Sequence, residues 1–378
     1  YYIIIEGMCF MGNFDSPLTI PPGESQDFVF GFTPGTYGEF TGTVTIECND
    51  PFTPLIELPA SGTGMAPDIS ITPDTLSFGN QEVNEPVTED FTITNVGNSD
   101  LTISAINLGL PQFSSDSLGV IVLVPGASCV VSITFIPSEI ALFEDILTIV
   151  SDDPDEGEVQ QEIIGVGTAP ILTATPQPID FGEILVGGAG TVSLILGNEG
   201  TSDLEISDIT IEGDIFQLDL VEVITITPGG EHNFDVTFTP ETYGTFTGTM
   251  IIISNDPFSS PFDIQMTGVG LAPDITVYPE TIEFGDVFLL ESVTQAFTIS
   301  NGGNFDLVIP DIHIGDLPFS VDFENEVIVL PGESQEINVT FSPVAINSFF
   351  DVFTVISNDP DAGEVNQDVS GTGTAPVI

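Results

Sequence analysis

One period runs through the whole chain. Phe-Gly stands at Phe78-Gly79, Phe181-Gly182 and Phe284-Gly285, and Phe-x-Pro at Phe32, Phe135, Phe238 and Phe341, with every step 103 residues long. Pro-Gly follows the same step from Pro22 through Pro125, Pro228 and Pro331. A Gly-x-Gly-x-Ala-Pro string closes each copy, at 62–67, 165–170, 268–273 and 371–376. A period held without insertion or deletion means tandem copies of one folding unit, each able to build its own core. The boundaries are 66–168, 169–271 and 272–374 for three whole domains. A partial domain without its N-terminal strands occupies 1–65, and 375–378 begins a further copy. Together with the opening Tyr1-Tyr2-Ile3, these ends read as a fragment cut from a longer array.

A second period overlies the first. Residues 32–43 (FTPGTYGEFTGT) and 238–249 (FTPETYGTFTGT) agree at ten of twelve positions, whereas the intervening copies carry DDPDEGEV at 152–159 and NDPDAGEV at 358–365. Two domain types therefore alternate, giving a repeat of 206 residues.

Within 66–168 the apolar residues alternate at period two, in Phe91-x-Ile93, Leu101-x-Ile103 and Val131-x-Ile133-x-Phe135, as strands buried on one face must. Turn residues separate them at Pro73-Asp74, Asn95-Val96-Gly97-Asn98, Pro125-Gly126, Ile136-Pro137 and Asp153-Pro154, where Pro fixes φ and Gly or Asn tolerates positive φ. No stretch sustains a 3.6-residue period. About seven strands in roughly 100 residues is the immunoglobulin pattern. The fold class is therefore all-β, with tandem immunoglobulin-like, seven-stranded Greek-key β-sandwiches in an extended array. Tyr37 and Tyr243, replaced by Ile140 and Ile346 in the other domain type, stand where a tyrosine-corner hydroxyl caps the turn into the penultimate strand. The alternative there is an aromatic packed at the rim.

Charge narrows the setting. There are 58 Asp and Glu but no Lys or Arg. Such a surface cannot neutralise phosphates and is repelled by anionic lipid, which excludes nucleic acid and a bare membrane surface as partners. No stretch is long and apolar enough to insert in a bilayer. Trypsin-like proteases have no cleavage residue in the chain, which suits an exposed, long-lived extracellular protein.

The motifs Phe78-Gly79, Asn95-Val96-Gly97, Pro125-Gly126-Ala127-Ser128, Phe135-Ile136-Pro137 and Ser151-Asp152-Asp153-Pro154, with their counterparts one and two periods on, resemble the Hydin-like, ASH-type immunoglobulin-like domains. In bacterial secreted proteins these resemble the modules called choice-of-anchor D. The resemblance covers essentially the whole chain and implies tandem sandwiches with no active site and a scaffolding or surface role. Bacterial members often carry one Cys before the Phe of the central strand and another after Pro-Gly. Here Cys9 and Cys129 hold those places in different units, and Gln112, Gln26 and His232 stand at the matching positions.

The chemistry-bearing clusters are acidic. Asp152, Asp153, Asp155, Glu156 and Glu158, and again Asp359, Asp361 and Glu364, crowd one loop of the second domain type, and Ca2+ takes six to eight oxygens from such loops. The alternative is a solvated hairpin whose Asp side chains cap their own backbone. The first domain type has only Asn49-Asp50-Pro51-Phe52 and Asn255-Asp256-Pro257-Phe258 there. His232 and His313 stand alone, no Gly-x-Ser-x-Gly elbow occurs, and Asn338 begins a sequon inside a strand. The three cysteines, Cys9, Cys48 and Cys129, are too few and scattered for a disulfide scaffold or a metal site.

These readings point to a non-enzymatic, extracellular or cell-surface protein, of prokaryotic origin, whose repeats form a rod that self-associates into a filament or matrix fibre. Each domain would add about 35–45 Å of length. The alternative is an adhesin stalk or binding module that recognises a glycan or a surface protein. Beyond possible Ca2+, no cofactor is implied.

Overall fold

The computed structural model describes residues 2–12, 17–117, 119–218, 223–315 and 318–376. Two residues of the short C-terminal segment, 377 and 378, lie outside them. The chain divides into two compact units, Tyr1–Ala169 and Pro170–Ile378. The second unit holds one whole domain of the Tyr-bearing type followed by one of the acidic-loop type, and the first holds the partial Tyr-bearing domain at 1–65 followed by a whole acidic-loop domain.

The domain at 66–168 is a two-layer sandwich. One sheet has the order Phe113–Ser115, Ser128–Phe135, Val87–Asn95, Ile69–Thr72, and the other Ile121–Leu123, Leu101–Asn107, Leu142–Ser151, Glu158–Thr168, Thr75–Glu82. Neighbouring strands are antiparallel except the last pair, where Thr75–Glu82 runs parallel to Glu158–Thr168. Among the described residues the seven expected strands become nine in 66–168 and 169–271 and ten in 272–374. Proline accounts for the splitting of the first strand, because Pro73, Pro176 and Pro279 have no N–H to donate and interrupt the ladder. The chain crosses there from one sheet to the other. Pro310 likewise divides Leu307–Ile309 from Asp311–His313. The other addition is the short outer strand Ile121–Leu123. In 2–65 the strands Tyr2–Glu6, Gly38–Glu47 and Leu55–Gly64 form one sheet, and Phe10–Gly12 pairs with Phe30–Phe32.

The recurring motifs are packing devices. Gly79, Gly182 and Gly285 have φ of 64°, 66° and 66°, the left-handed region that residues with a Cβ seldom enter. The parallel ladder skips a residue around each of them, and the Phe before each glycine remains buried. In 66–168, Phe78 then meets Phe113 and Phe135 at centroid distances of 5.5 Å, and Phe113 stacks on Phe135 at 4.8 Å. This Phe trio recurs around Phe238 and Phe341.

The closing Gly-x-Gly string is explained by the same ring. It lies inside the last strand, where a Cβ on Gly165, Gly268 or Gly371 would sit 2.5, 2.7 or 2.6 Å from Cε1 of Phe135, Phe238 or Phe341. A Cβ on the second glycine, Gly167, Gly270 or Gly373, would come within 2.9, 2.9 or 2.8 Å of the Cβ of Pro137, Pro240 or Pro343. Phe-x-Pro and Gly-x-Gly are therefore two halves of one contact, with the Phe and Pro pressed onto a bare strand.

Candidate functional site

Two clefts among the described residues are lined in part by carboxylates, Glu144, Asp145 and Glu162 in one and Glu283, Asp351 and Asp368 in the other, none of them among the residues singled out above. The feature that repeats with the 206-residue period, and is built from side chains rather than backbone alone, is the joint between the two domains of each unit.

Its scaffold is a buried asparagine. Asn301 is 1% exposed; its Nδ2 donates to the carbonyls of Phe305 and Val329 at 2.8 and 2.9 Å. Its Oδ1 accepts from Gly303 N at 3.1 Å and Asp274 N at 3.2 Å. Asn198 makes all four corresponding bonds, and Asn95 makes three, donating to Ser99 O and Leu123 O and accepting from Gly97 N. The Asn-x-Gly motif thus differs from the positive-φ turn expected of it, since neither Asn95 nor Gly97 has positive φ. Its Asn is a hydrogen-bond hub, which a short amide can be because it offers both donors and acceptors. Its Gly is required by close approach. A Cβ on Gly303 would lie 2.7 Å from both Asp274 N and the Pro273 carbonyl carbon, in the connecting segment between the domains.

A second asparagine closes the joint. Asn304 Nδ2 donates to Gly270 O of the preceding domain at 2.8 Å while its Oδ1 accepts from Ala272 N at 3.1 Å. Asn98 holds Gly64 O and Ala66 N in the same way, at 2.8 and 3.1 Å. Replacing Asn304 with Ala is expected to cost about 1–2 kcal/mol by leaving these two backbone groups without their partner. In calorimetry the loss should show as the domains at 169–271 and 272–374 melting further apart.

The tyrosines complete it, and here the tyrosine-corner expectation is corrected. The Tyr243 hydroxyl donates to Asp274 Oδ2 at 2.9 Å, a residue of the following domain, and the Tyr37 hydroxyl is likewise raised above its ordinary value by Asp68. Both tyrosines sit at the domain end and point forward, so the hydroxyl is aimed at the neighbour and not at its own turn. The bond to Asp274, and then the charge of that carboxylate, raise the Tyr243 hydroxyl above its ordinary value of 10.0. A group whose folded value is raised contributes fully below its unfolded value and loses that contribution as pH rises through the folded one. The joint should therefore hold at pH 7 to 9 and weaken above about pH 10. Tyr243→Phe should remove that alkaline loss and melt below the parent at neutral pH, where the bond contributes fully, with the two profiles drawing together above about pH 10.

Sequence reasoning missed this joint, although a signal was present. Positions 37, 140, 243 and 346 read Tyr, Ile, Tyr, Ile; positions 68, 171 and 274 read Asp, Ile, Asp; positions 98, 201 and 304 read Asn, Thr, Asn. Three positions change together with domain type, as the parts of one contact do.

The acidic loop is arranged around a single structural carboxylate. Asp153, Asp256 and Asp359 are buried, and the Oδ2 of each accepts from the first strand of its own domain, at Ile69 N, Leu172 N and Ile275 N, each at 2.8 Å. The Oδ1 of each caps its loop: on Asp155 N and Glu156 N at 3.1 and 3.2 Å, on Phe258 N at 2.8 Å, and on Asp361 N and Ala362 N at 2.9 and 3.1 Å. Asp152 Oδ1 accepts from Thr102 N at 2.7 Å, a place taken by Asn255 and Asn358 in the other domains. These are the self-capping contacts of a hairpin, and they occur in both domain types.

Of the calcium candidates, Asp153 and Glu156 are brought together with Asp68, one carboxylate oxygen of each lying within 4.8 Å of the others. Asp152, Asp155 and Glu158 are exposed and outside that group. In 272–374, Ala362 replaces Glu156, and Asp359, Asp361 and Glu364 form no such group among the described residues. Burial raises the Asp153 carboxyl, but the amides of Ile69, Asp155 and Glu156 together with the Asp155 carboxyl outweigh it and hold it below 3.8. Its hydrogen-bonded neighbour Asp155 is pushed above 3.8 by that bond and by the Asp153 charge. Cys9, Cys48 and Cys129 are free thiols. His232 is half-buried with its ring 6.3 Å from that of Phe234, and His313 is exposed. Asn338 lies exposed in the strand Ser334–Phe341. No helix of the described residues is long and apolar enough to cross a membrane.

Comparison with known proteins accords with this geometry. A family model described as HYDIN/CFA65/VesB-like, Ig-like domain matches three times, at residues 67–164, 170–269 and 273–372. The cilia- and flagella-associated protein 74 of Chlamydomonas reinhardtii is 24% identical over 196 residues, which are 47% of this chain and 10% of that protein. This chain thus spans only a small part of that relative's length. Among solved structures, an ASH/PapD-like domain of human CEP192 is 12% identical, covers 28% of this chain and 89% of its own, and superposes with a TM-score of 0.24. A Porphyromonas gingivalis protein is 15% identical, covers 53% and 99%, and gives a TM-score of 0.25.

Proposed function

Because this chain belongs to the HYDIN/CFA65/VesB-like family of Ig-like domains, we propose that it is a structural repeat region, non-enzymatic, in which the two-domain pair is the element multiplied along a rod. The observation that carries this reading is the joint. Tyr243 and Asn304 reach across to fasten one domain to the next, with Asn301 holding Asp274 in place, and Asn98 repeats the Asn304 contact one pair earlier, where Tyr37 faces Asp68. Repeated units stabilised by nearest-neighbour contacts are how a chain keeps a defined spacing between its ends. Like charge along the rod opposes its collapse within the reach of screening, about 8 Å at physiological salt.

The setting we propose is extracellular or cell-surface, as in the bacterial choice-of-anchor D proteins, with self-association into a filament or matrix fibre. A chain of 58 acidic residues without one Lys or Arg offers trypsin-like proteases no cleavage residue, and its surface disfavours nucleic acid and anionic lipid. An adhesin stalk that presents a separate binding domain is served by the same mechanics. The Chlamydomonas relative favours a second reading, an array laid along a cilium or flagellum. Antibody raised against this chain separates the two. Labelling of intact cells or shed material supports the surface reading. Labelling only after permeabilisation, confined to a cilium, supports the second.

A further inference from the structure

Resting on that structural reading, we propose that the outer edge strands of the domains at 66–168 and 272–374 are the surfaces through which two copies of this chain associate. Ile121–Leu123 closes one end of its sheet, paired on one side only, with Leu101–Ile103. Among the described residues Val327–Val329 pairs with Leu307–Ile309 alone. An edge strand presents unpaired backbone groups to any strand that can approach, and proteins normally guard it with Lys, Pro or a bulge.

The first of these edges is unguarded, and the second is flanked by the exposed carboxylates of Glu324 and Glu326 on one side only. The chain has no Lys, and residues 119–127, GVIVLVPGA, carry neither a charge nor a proline before Pro125. Leu123 turns inward at 6% exposure, while Val120, Val122 and Val124 are 65, 58 and 58% exposed. One pair further on, Val329 is inward at 3% and Ile328 and Leu330 are 56 and 54% exposed, with Glu326 in the place of Val120. β-branched, uncharged segments of this kind are the ones that pair edge to edge. The Tyr-bearing domains differ at the same positions. Residues 17, 19 and 21 are Pro, Thr and Pro, while 223, 225 and 227 are Val, Thr and Thr, with Val223 72% exposed. The edge Ile224–Ile226 is thus uncharged too, but its outward face carries Thr225 where the acidic-loop domains carry Val122 and Ile328.

Charge identifies the occupant as a second copy. Two chains of net charge -58 repel wherever carboxylates face each other, and the uncharged edge is where like chains can come close. A cationic partner would gain more on the carboxylate-bearing faces. A single edge this short binds weakly, and two edges in one chain act together through effective concentration.

Sedimentation velocity on the 378-residue chain, over roughly two decades of concentration, tests the proposal. We expect reversible association that strengthens as NaCl is raised, because salt screens the repulsion. The variant V122E/I328E should stay monomeric, and V122N/I328N, which adds no charge, should associate at least tenfold more weakly than the parent. Both substitutions are at exposed positions, and unchanged melting curves would show that the fold is kept. A parent that stays monomeric throughout, or variants that associate as it does, overturns the proposal. Association that needs an added basic protein and weakens with salt also overturns it, assigning the edge to a cationic partner. Surface labelling of cells by antibody is independent of these outcomes, so the edge can fail while the structural reading stands.

Discussion

Replacing Phe341 with Ala is expected to lower the stability of the domain at 272–374 by about 4 kcal/mol, the range found when a buried Phe ring is deleted and its cavity does not collapse. Phe341 is fully buried and lies 4.8 Å from the Phe319 ring, 5.6 Å from Phe284 and 5.9 Å from Phe349. Collapse is hindered because Gly371, on the strand under the ring, has no side chain to fill the space. In calorimetry the transition of that domain should fall by roughly 20 °C, given 4–8 °C per kcal/mol for a domain of this size. The transition of the domain at 66–168 should not move. A fall of only a few degrees would mean that the Phe trio is not the centre of the core.

Replacing Asn301 with Ala is expected to cost about 3 kcal/mol, because buried backbone partners at Phe305, Val329, Gly303 and Asp274 lose their bonds together. The effect should reach the joint. Asp274 is held by Asn301 Oδ1 through its amide and receives the Tyr243 hydroxyl on its carboxylate. Asn301→Ala should therefore also abolish the alkaline sensitivity assigned to Tyr243. Asn301→Asp, which keeps the shape but cannot donate to the two carbonyls, should lose at least as much. If it melts like the parent, the hub assignment is wrong.

How much of this was legible in the sequence differs by element. The strands were, because a strand with one buried face writes its fold in alternation. Phe91 and Ile93 are 1% and 0% exposed, and their period-two spacing said as much. Phe-x-Pro and Gly-x-Gly were visible as landmarks, but their partnership was not. The ring and the glycine it covers are some 30 residues apart on different strands, and neither motif names the other.

The Asp of Asp-Pro was less legible still. Its carboxylate secures an amide 84 residues earlier, Asp153 to Ile69, and a local reading sees only a loop rich in oxygen ligands. Its presence in both domain types, while the surrounding carboxylates occur in one, was the available hint that it serves the fold. Tyr37 and Tyr243 are legible as hydroxyls in need of a partner, but the partner lies in the following domain. The partner Asp residues follow 31 positions later in the next copy, beyond the single unit in which a tyrosine corner is sought.

Electron microscopy of the full-length protein in its native setting tests the central claim most directly, that this is a structural array whose element is the two-domain pair. The account expects a uniform fibre with an axial repeat of one pair, about 70–90 Å for two domains end to end. Isolated, flexible monomers with no axial repeat would contradict it.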